Sequence, residues 1–169
     1  MKKILETPRL YLRELCTDDA EHFYRLNLNP NVIRYTGNTA FASVAEAREF
    51  LENYDDYQKN GYGRWAVIEK ASGTFVGWCG LKYDEATAET DIGFRFFEEH
   101  WNRGFATESA LACIRYGFEQ LGLTSIVGRA MRANAASVRV LEKAGLQHMG
   151  SFDFDAENKG VLLRITRSL

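Results

Sequence analysis

No stretch of this chain approaches the roughly 18–20 consecutive apolar residues that a membrane-spanning helix needs, so no such helix is expected. The opening Met1-Lys2-Lys3 starts like a secretory leader, but Glu6 and Pro8 follow before any apolar segment can form. A soluble, cytoplasmic protein with no membrane partner is the expectation. Surplus positive charge is also missing: 21 Lys and Arg stand against 23 Asp and Glu, a net charge of −2. That balance lacks the basic footprint of a general nucleic-acid binder, so no nucleic-acid partner is expected. Cysteine is scarce and scattered. Cys16, Cys79 and Cys113 form no C-x-x-C pair, and His22, His100 and His148 show no ligand spacing. No metal site is therefore expected, and the thiols read as reduced, small apolar residues. A thiol nucleophile would need an adjacent base, which nothing in the sequence supplies. Both common phosphate signatures are absent as well: there is no G-x-G-x-x-G and no G-x-x-x-x-G-K-[ST].

What is present is enough to fold. Hydrophobic residues make up 46% and aromatics 13% of 169 residues, which suits one domain, residues 1–169, with a sizeable core. Leu10 and Leu12 alternate with Arg9 and Arg13, with Glu14 following, which predicts one strand over 5–15. Thr17-Asp18-Asp19 supplies helix caps before the apolar stripe Ala20, Phe23, Tyr24 and Leu26. The Asn-, Pro- and Gly-containing stretch 27–38 reads as loop. Ser43 with Glu46 forms a capping-box pattern ahead of Ala47, Phe50, Leu51 and Tyr54, and Gly61 and Gly63 end that segment. Strands are predicted at 65–69 and 74–83, with a hairpin turn at 71–73, and at 90–97. A helix follows over 106–121 with Gly122 as its stop. After a strand at 125–131, Asn134 caps a helix that ends at Gly145, and strands close the chain at 147–154 and 160–166. Seven strands mixed with helices in this order favour one α/β (α+β) domain around a mixed sheet.

Between the strand at 90–97 and the helix at 106–121 lies Trp101-Asn102-Arg103-Gly104-Phe105-Ala106-Thr107. The first turn of a helix carries unpaired N–H groups and the positive end of the dipole, which suits a phosphate or pyrophosphate. Gly104 lets an anion approach the backbone and Ala106 is small for the same reason, while Asn102 and Arg103 can add polar and cationic contacts. Taken alone, a Gly-x-Ala before a helix is equally an ordinary turn.

The wider pattern is more specific. The run Asp91-Ile92-Gly93-Phe94 through Trp101–Ala110 resembles the acetyl-CoA motif of the GNAT N-acetyltransferase superfamily. Glu6–Arg13, Gly77-Trp78-Cys79-Gly80-Leu81 and Asn134–Leu146 resemble further segments, in order, of the branch that includes the ribosomal-protein alanine N-acetyltransferases. The resemblance implies a strongly twisted mixed sheet of about six to seven strands flanked by helices. Two strands, 90–97 and 125–131, would splay to form an acetyl-CoA cleft. It implies acetyl-CoA as co-substrate with no metal, acting in a monomer or homodimer. The acceptor would be a small-molecule amine or a protein N-terminal amine, attacking directly. Cofactor-binding positions would be Phe94, Phe96, Asn102, Arg103, Gly104, Phe105, Ala106, Thr107 and Asn134. The Phe96 amide would face the thioester oxygen, and Ser137 matches the position of the general acid. Ser137 could equally be a helix-capping or CoA-contacting residue. Asp91 or Glu89 could act as base, directly or through water, or be merely solvated. The family's tyrosine acid has no counterpart here: the matching positions read Leu141 to Lys143 and Leu162 to Arg164. That gap leaves a catalytically weak or inactive CoA-binding module as the alternative.

On the acceptor side, Asp84, Glu85, Glu89, Asp91, Glu98 and Glu99 surround the single base Arg95. They could form an acidic rim for a cationic amine, or a solvated hairpin tip. Tyr35 and Trp65 could wall an amine channel or belong to core or lid.

Overall fold

A computed structural model describes residues 2–168. The chain opens with β1 (Lys3–Glu6) and β2 (Leu10–Glu14), an antiparallel hairpin in place of the single strand predicted over 5–15. The break falls at Thr7-Pro8-Arg9, where the Thr7 N–H donates to the Leu10 carbonyl at 2.8 Å and turns the chain back. A short 3-10 turn leads into α1 (Ala20–Leu28). The stretch predicted as loop holds a single helical turn, α2 (Pro30–Ile33), because the Asn29 side chain caps it and Pro30 takes the first position, where a missing N–H costs nothing. Next come α3 (Val44–Glu52), α4 (Asp56–Asn60), β3 (Arg64–Glu69), β4 (Phe75–Asp84) and β5 (Glu89–Phe96). The segment before Gly61 is thus two helices: Ser43 Oγ accepts from the Glu46 N–H to start α3, and Gly61 ends α4 at φ 81°. After β5 come α5 (Phe105–Glu119), β6 (Ser125–Met131), α6 (Ala135–Lys143), β7 (Gln147–Asp153) and β8 (Lys159–Thr166).

The eight strands form one sheet in the order β1-β2-β3-β4-β5-β6-β8-β7, one strand more than the expected range. Every neighbouring pair is antiparallel except β5 and β6, which are parallel and joined through α5. Both faces of the centre are covered. Along β3, Trp65 and Val67 enter the core under α5 and α6, while Ala66 and Ile68 enter a second core with Phe23 of α1 and Ala47 and Leu51 of α3. That double burial explains the unbroken apolar run Trp65–Ile68. Trp65 is 1% exposed, so it is core and not channel wall. Cys79 and Cys113 are buried in the first core with their sulfurs 3.8 Å apart. No helix among the described residues is long and apolar enough to cross a membrane.

Candidate active site

The sheet opens where β5 meets β6. The two register only at Asp91↔Val127, near the start of β5. Beyond that point β5 continues beside β4, while its other edge faces a cavity of about 830 Å³. The Phe97 N–H donates towards β4, to the Val76 carbonyl at 3.0 Å. Because successive N–H groups of a strand point to opposite edges, the amides of Phe96 and Phe94 point into the cavity. The Phe96 carbonyl shares that edge and accepts from Trp101 Nε1 at 2.9 Å.

The loop 101–104 forms one end of the cavity. Asn102 and Gly104 both have positive φ, 60° and 80°. Gly104 caps α5, and the first helical bond runs from the Glu108 N–H to the Gly104 carbonyl at 3.0 Å. The amides of Phe105, Ala106 and Thr107 therefore lack intrahelical acceptors at the positive end of a 15-residue helix. A pyrophosphate fits such a backbone concavity.

Side chains remote in sequence hold this loop. The Glu108 carboxylate accepts from Thr7 Oγ1 at 2.6 Å, from the Arg9 N–H at 3.0 Å and from Arg9 Nε at 2.7 Å. Arg9 Nη1 donates to the Arg103 carbonyl at 2.7 Å. Burial pushes the Glu108 carboxyl up, but the Thr7 and Arg9 bonds outweigh it and hold the pKa below the usual range. The guanidinium groups of Arg9 and Arg103 lie 4.6 and 4.5 Å from the Phe105 ring centroid. These brackets were missed by sequence reasoning. Their signal was present in Thr7-Pro8-Arg9 and in Glu108, but nothing local joins them.

The third wall is α6. Asn134 Oδ1 accepts from the Ser137 N–H at 3.2 Å and its Nδ2 donates to Ser137 Oγ at 2.9 Å. Ser137 is thus both part of the helix cap and a hydroxyl whose own proton is left to donate elsewhere. Phe94, Phe96, Asn102, Gly104, Phe105, Ala106, Thr107, Asn134 and Ser137 all line the cavity. Arg103 and Asp91 do not. The Arg103 side chain turns outward to Glu69 at 2.6 Å, so it brings no cation to this cavity. Asp91 Oδ1 accepts from Arg64 Nη2 at 2.7 Å, and Arg129 stands 3.8 Å from its other oxygen. Glu89 is likewise held, by Arg129 at 2.6 Å and by Arg164.

Of the six acids that could form a rim, Glu89 and Asp91 are thus paired with arginines. Glu98 is the carboxylate on the cavity wall, and it accepts from the Asn29 and Asn31 amides at 3.1 and 3.0 Å. Arg34, Tyr35, Arg95 and His100 join it at that end. Among the described residues no group of three or more His, Cys, Asp or Glu could hold a metal ion.

Comparison with known proteins gives a consistent picture. Residues 9–147 match the family described as the acetyltransferase (GNAT) domain. YoaA of Bacillus subtilis (strain 168), described as an uncharacterized N-acetyltransferase, is 33% identical over 152 residues, covering 89% of this chain and 86% of YoaA. The spermidine N-acetyltransferase of Vibrio cholerae, solved in complex with CoA and spermine, has a TM-score of 0.78 at 22% identity, covering 95% of this chain and 96% of that one. The ribosomal-protein-S5-alanine acetyltransferase of Vibrio fischeri has a TM-score of 0.82 at 14% identity, covering 96% and 95%.

Proposed function

The chain belongs to the acetyltransferase (GNAT) family and is an acetyl-CoA-dependent N-acetyltransferase; from that premise we propose that all of residues 1–169 serve one reaction, direct attack of a primary amine on the thioester, and that the cavity beside β5 is where it occurs. The observation that carries this reading is the coincidence in one cavity of strand amides, helix-start amides and a hydroxyl. Acetyl-CoA supplies the activated acetyl group. The amides from Arg103 to Thr107, with Asn102 beside them, hold the pyrophosphate. The Phe94 backbone pairs with the pantetheine arm as an added strand would, and Asn134 bonds the same arm. The Phe96 N–H donates to the thioester oxygen and stabilises the negative charge that builds as the amine attacks. Ser137 gives its proton to the departing sulfur while the Asn134 amide fixes its oxygen. Asp91, bound to Arg64 and outside the wall, takes the amine's proton only through water. A protein N-terminal amine or a small amine is the acceptor class; the Vibrio fischeri and Vibrio cholerae enzymes named above act on one of each by their names.

The test is a CoA-release assay across peptides, amino acids, polyamines and aminoglycosides, with Ser137→Ala beside the native chain. Ser137→Ala is expected to lower kcat about 100-fold, the scale of general acid catalysis, with CoA affinity changed less than about twofold. A change in affinity alone would make Ser137 a binding residue. Tight CoA binding without turnover of any amine would establish the inactive CoA-binding module instead.

A further inference from the structure

We infer that Arg95 is the anchor for an acidic group on the acceptor, so that the acceptor is a carboxylate-bearing amine of the free amino-acid kind and not a polycation. This rests on the acetyl-transfer reading above and names its substrate class. Five arginines of the chain are half-buried: Arg13, Arg64, Arg95, Arg129 and Arg164. Four of them have a carboxylate partner. Arg13 pairs with Asp19 at 2.7 Å, Arg64 with Asp91 at 2.7 Å, Arg129 with Glu89 at 2.6 Å, and Arg164 also with Glu89. Arg95 is the exception: among the described residues no carboxylate forms an ion pair with it, although it lines the cavity.

Arg95 is nonetheless held firmly. Its Nη1 donates to Asn27 Oδ1 at 2.6 Å and its Nη2 to Asn38 Oδ1 at 2.9 Å. Asn27 is 5% exposed and is itself fixed by donating to the Phe23 carbonyl at 3.0 Å. The guanidinium lies over the Trp78 ring, 5.3 Å from its centroid, with Arg64 also 5.4 Å from the same centroid. Amide oxygens and a ring face aim a guanidinium but carry no counter-charge. Burial, and then the neighbouring Arg64, lower the Arg95 pKa to about 10, as expected for a cation without an anion beside it. A half-buried charge left without a counter-ion is costly, and a ligand carboxylate removes that cost through a bidentate contact.

The surroundings fit the same ligand. Arg95 lies between Phe94 and Phe96 on β5, with its side chain on the opposite sheet face, towards α1 and the 36–38 loop. Exposed Arg34 adds a second cation to that end, and Glu98 adds one anion. An amine with an adjoining carboxylate matches both signs. A polyamine would set like charge against Arg95 and Arg34. The tip of the β7–β8 hairpin packs on the loop that holds Arg95: a Cβ on Gly37 would lie 3.2 Å from the Phe154 ring.

The experiment uses the full chain with acetyl-CoA and follows CoA release. Acceptors are a panel of L-amino acids, each beside its own carboxamide, with spermidine as the polycation. For at least one amino acid, kcat/KM is expected to exceed that of its amide and of spermidine by about 100-fold, the scale of one buried charge-assisted contact. Arg95→Gln is expected to collapse that acid-to-amide ratio to about one, and Arg95→Lys to restore part of it. Amides or spermidine serving as well as the acids in the native chain would overturn the proposal. So would Arg95→Gln lowering acid and amide alike, which would make Arg95 a tie between α1 and the 36–38 loop only. If no amine turns over at all, the transfer reading fails and Arg95 is judged by calorimetry. N-acetyl amino acids should then bind the CoA-loaded chain more tightly than their amides, and Arg95→Gln should abolish the difference; equal binding would overturn the proposal.

Discussion

The two edges of β5 carry the same residues and have opposite fates. Towards β4, every position from Glu89 to Phe96 has a partner between Gly77 and Asp84. That side has no room even for a methyl group at Gly77: a Cβ there would lie 2.3 Å from the Arg95 carbonyl oxygen and 2.8 Å from the Phe96 Cα. Towards β6, register is kept at Asp91↔Val127 and then lost. Backbone N–H groups cannot be left buried without a partner, so an opened ladder beside a cavity takes its hydrogen bonds from water or from a ligand. The closed edge holds the fold, and the open edge makes the site. One strand serves both purposes because alternate amides face alternate edges.

The closed edge should give the largest effect when disturbed. Gly77→Ala puts a Cβ against the β5 backbone at Arg95 and Phe96, so the two strands must move apart; a loss of about 3 kcal/mol is expected, or roughly 6–12 °C in Tm. Thermal denaturation checks this, and an unchanged Tm would show the packing there to be looser than described. The open side should respond in binding with a smaller change in stability. Gly104→Val places a β-branched side chain at φ 80° within reach of Arg9 and pushes an anion off the helix-start amides. CoA affinity by calorimetry is expected to fall about 30-fold, with some loss of Tm from backbone strain. An unchanged Kd would remove the pyrophosphate from loop 101–107.

A finer test separates the edges without mutation. In amide hydrogen exchange, Phe97, bonded to Val76, should be protected in the free chain. Phe94 and Phe96 should exchange at least about tenfold faster and become protected when CoA is added. Equal protection of all three before CoA is added would mean the edge is already satisfied. The smallest effect concerns the bracket at Glu108. Its folded pKa is depressed, net of burial, by Thr7 and Arg9. The bracket's contribution is therefore fully present above about pH 4.3, the ordinary Glu value, and fades as pH falls through the lower folded value. CoA affinity of the native chain should drop a fewfold more across that acid window than that of Glu108→Gln; parallel curves would show that Glu108 does not set the loop.

Much of this fold is local in origin and so was readable in order along the chain. Gly104 before an apolar helical stripe, Asn134 as a cap, and Gly122 and Gly145 as stops each express a preference of a few neighbouring residues. The hairpin at 3–14 reads as one strand because apolar residues lie on both sides of Thr7-Pro8-Arg9 and only the turn's hydrogen bond reveals the reversal. The helical turn after Asn29 was missed because four residues cannot show a periodicity. The acidic segment was legible as composition and misleading as a surface, since Glu89 and Asp91 are neutralised by Arg64, Arg129 and Arg164 from other strands.

By itself the sequence determined most of the elements from β3 onward, the helix-start turn at 101–107 and the Asn134–Ser137 cap, because backbone preference and capping act over three or four residues. Only the tertiary structure decided which edge of β5 stays open, that Arg9 and Glu108 hold the loop from 99 residues apart, and that Arg95 alone among the half-buried arginines lacks a carboxylate partner among the described residues. Those depend on which charges and strand edges meet when distant segments pack, and charge pairing leaves no periodic trace along a chain.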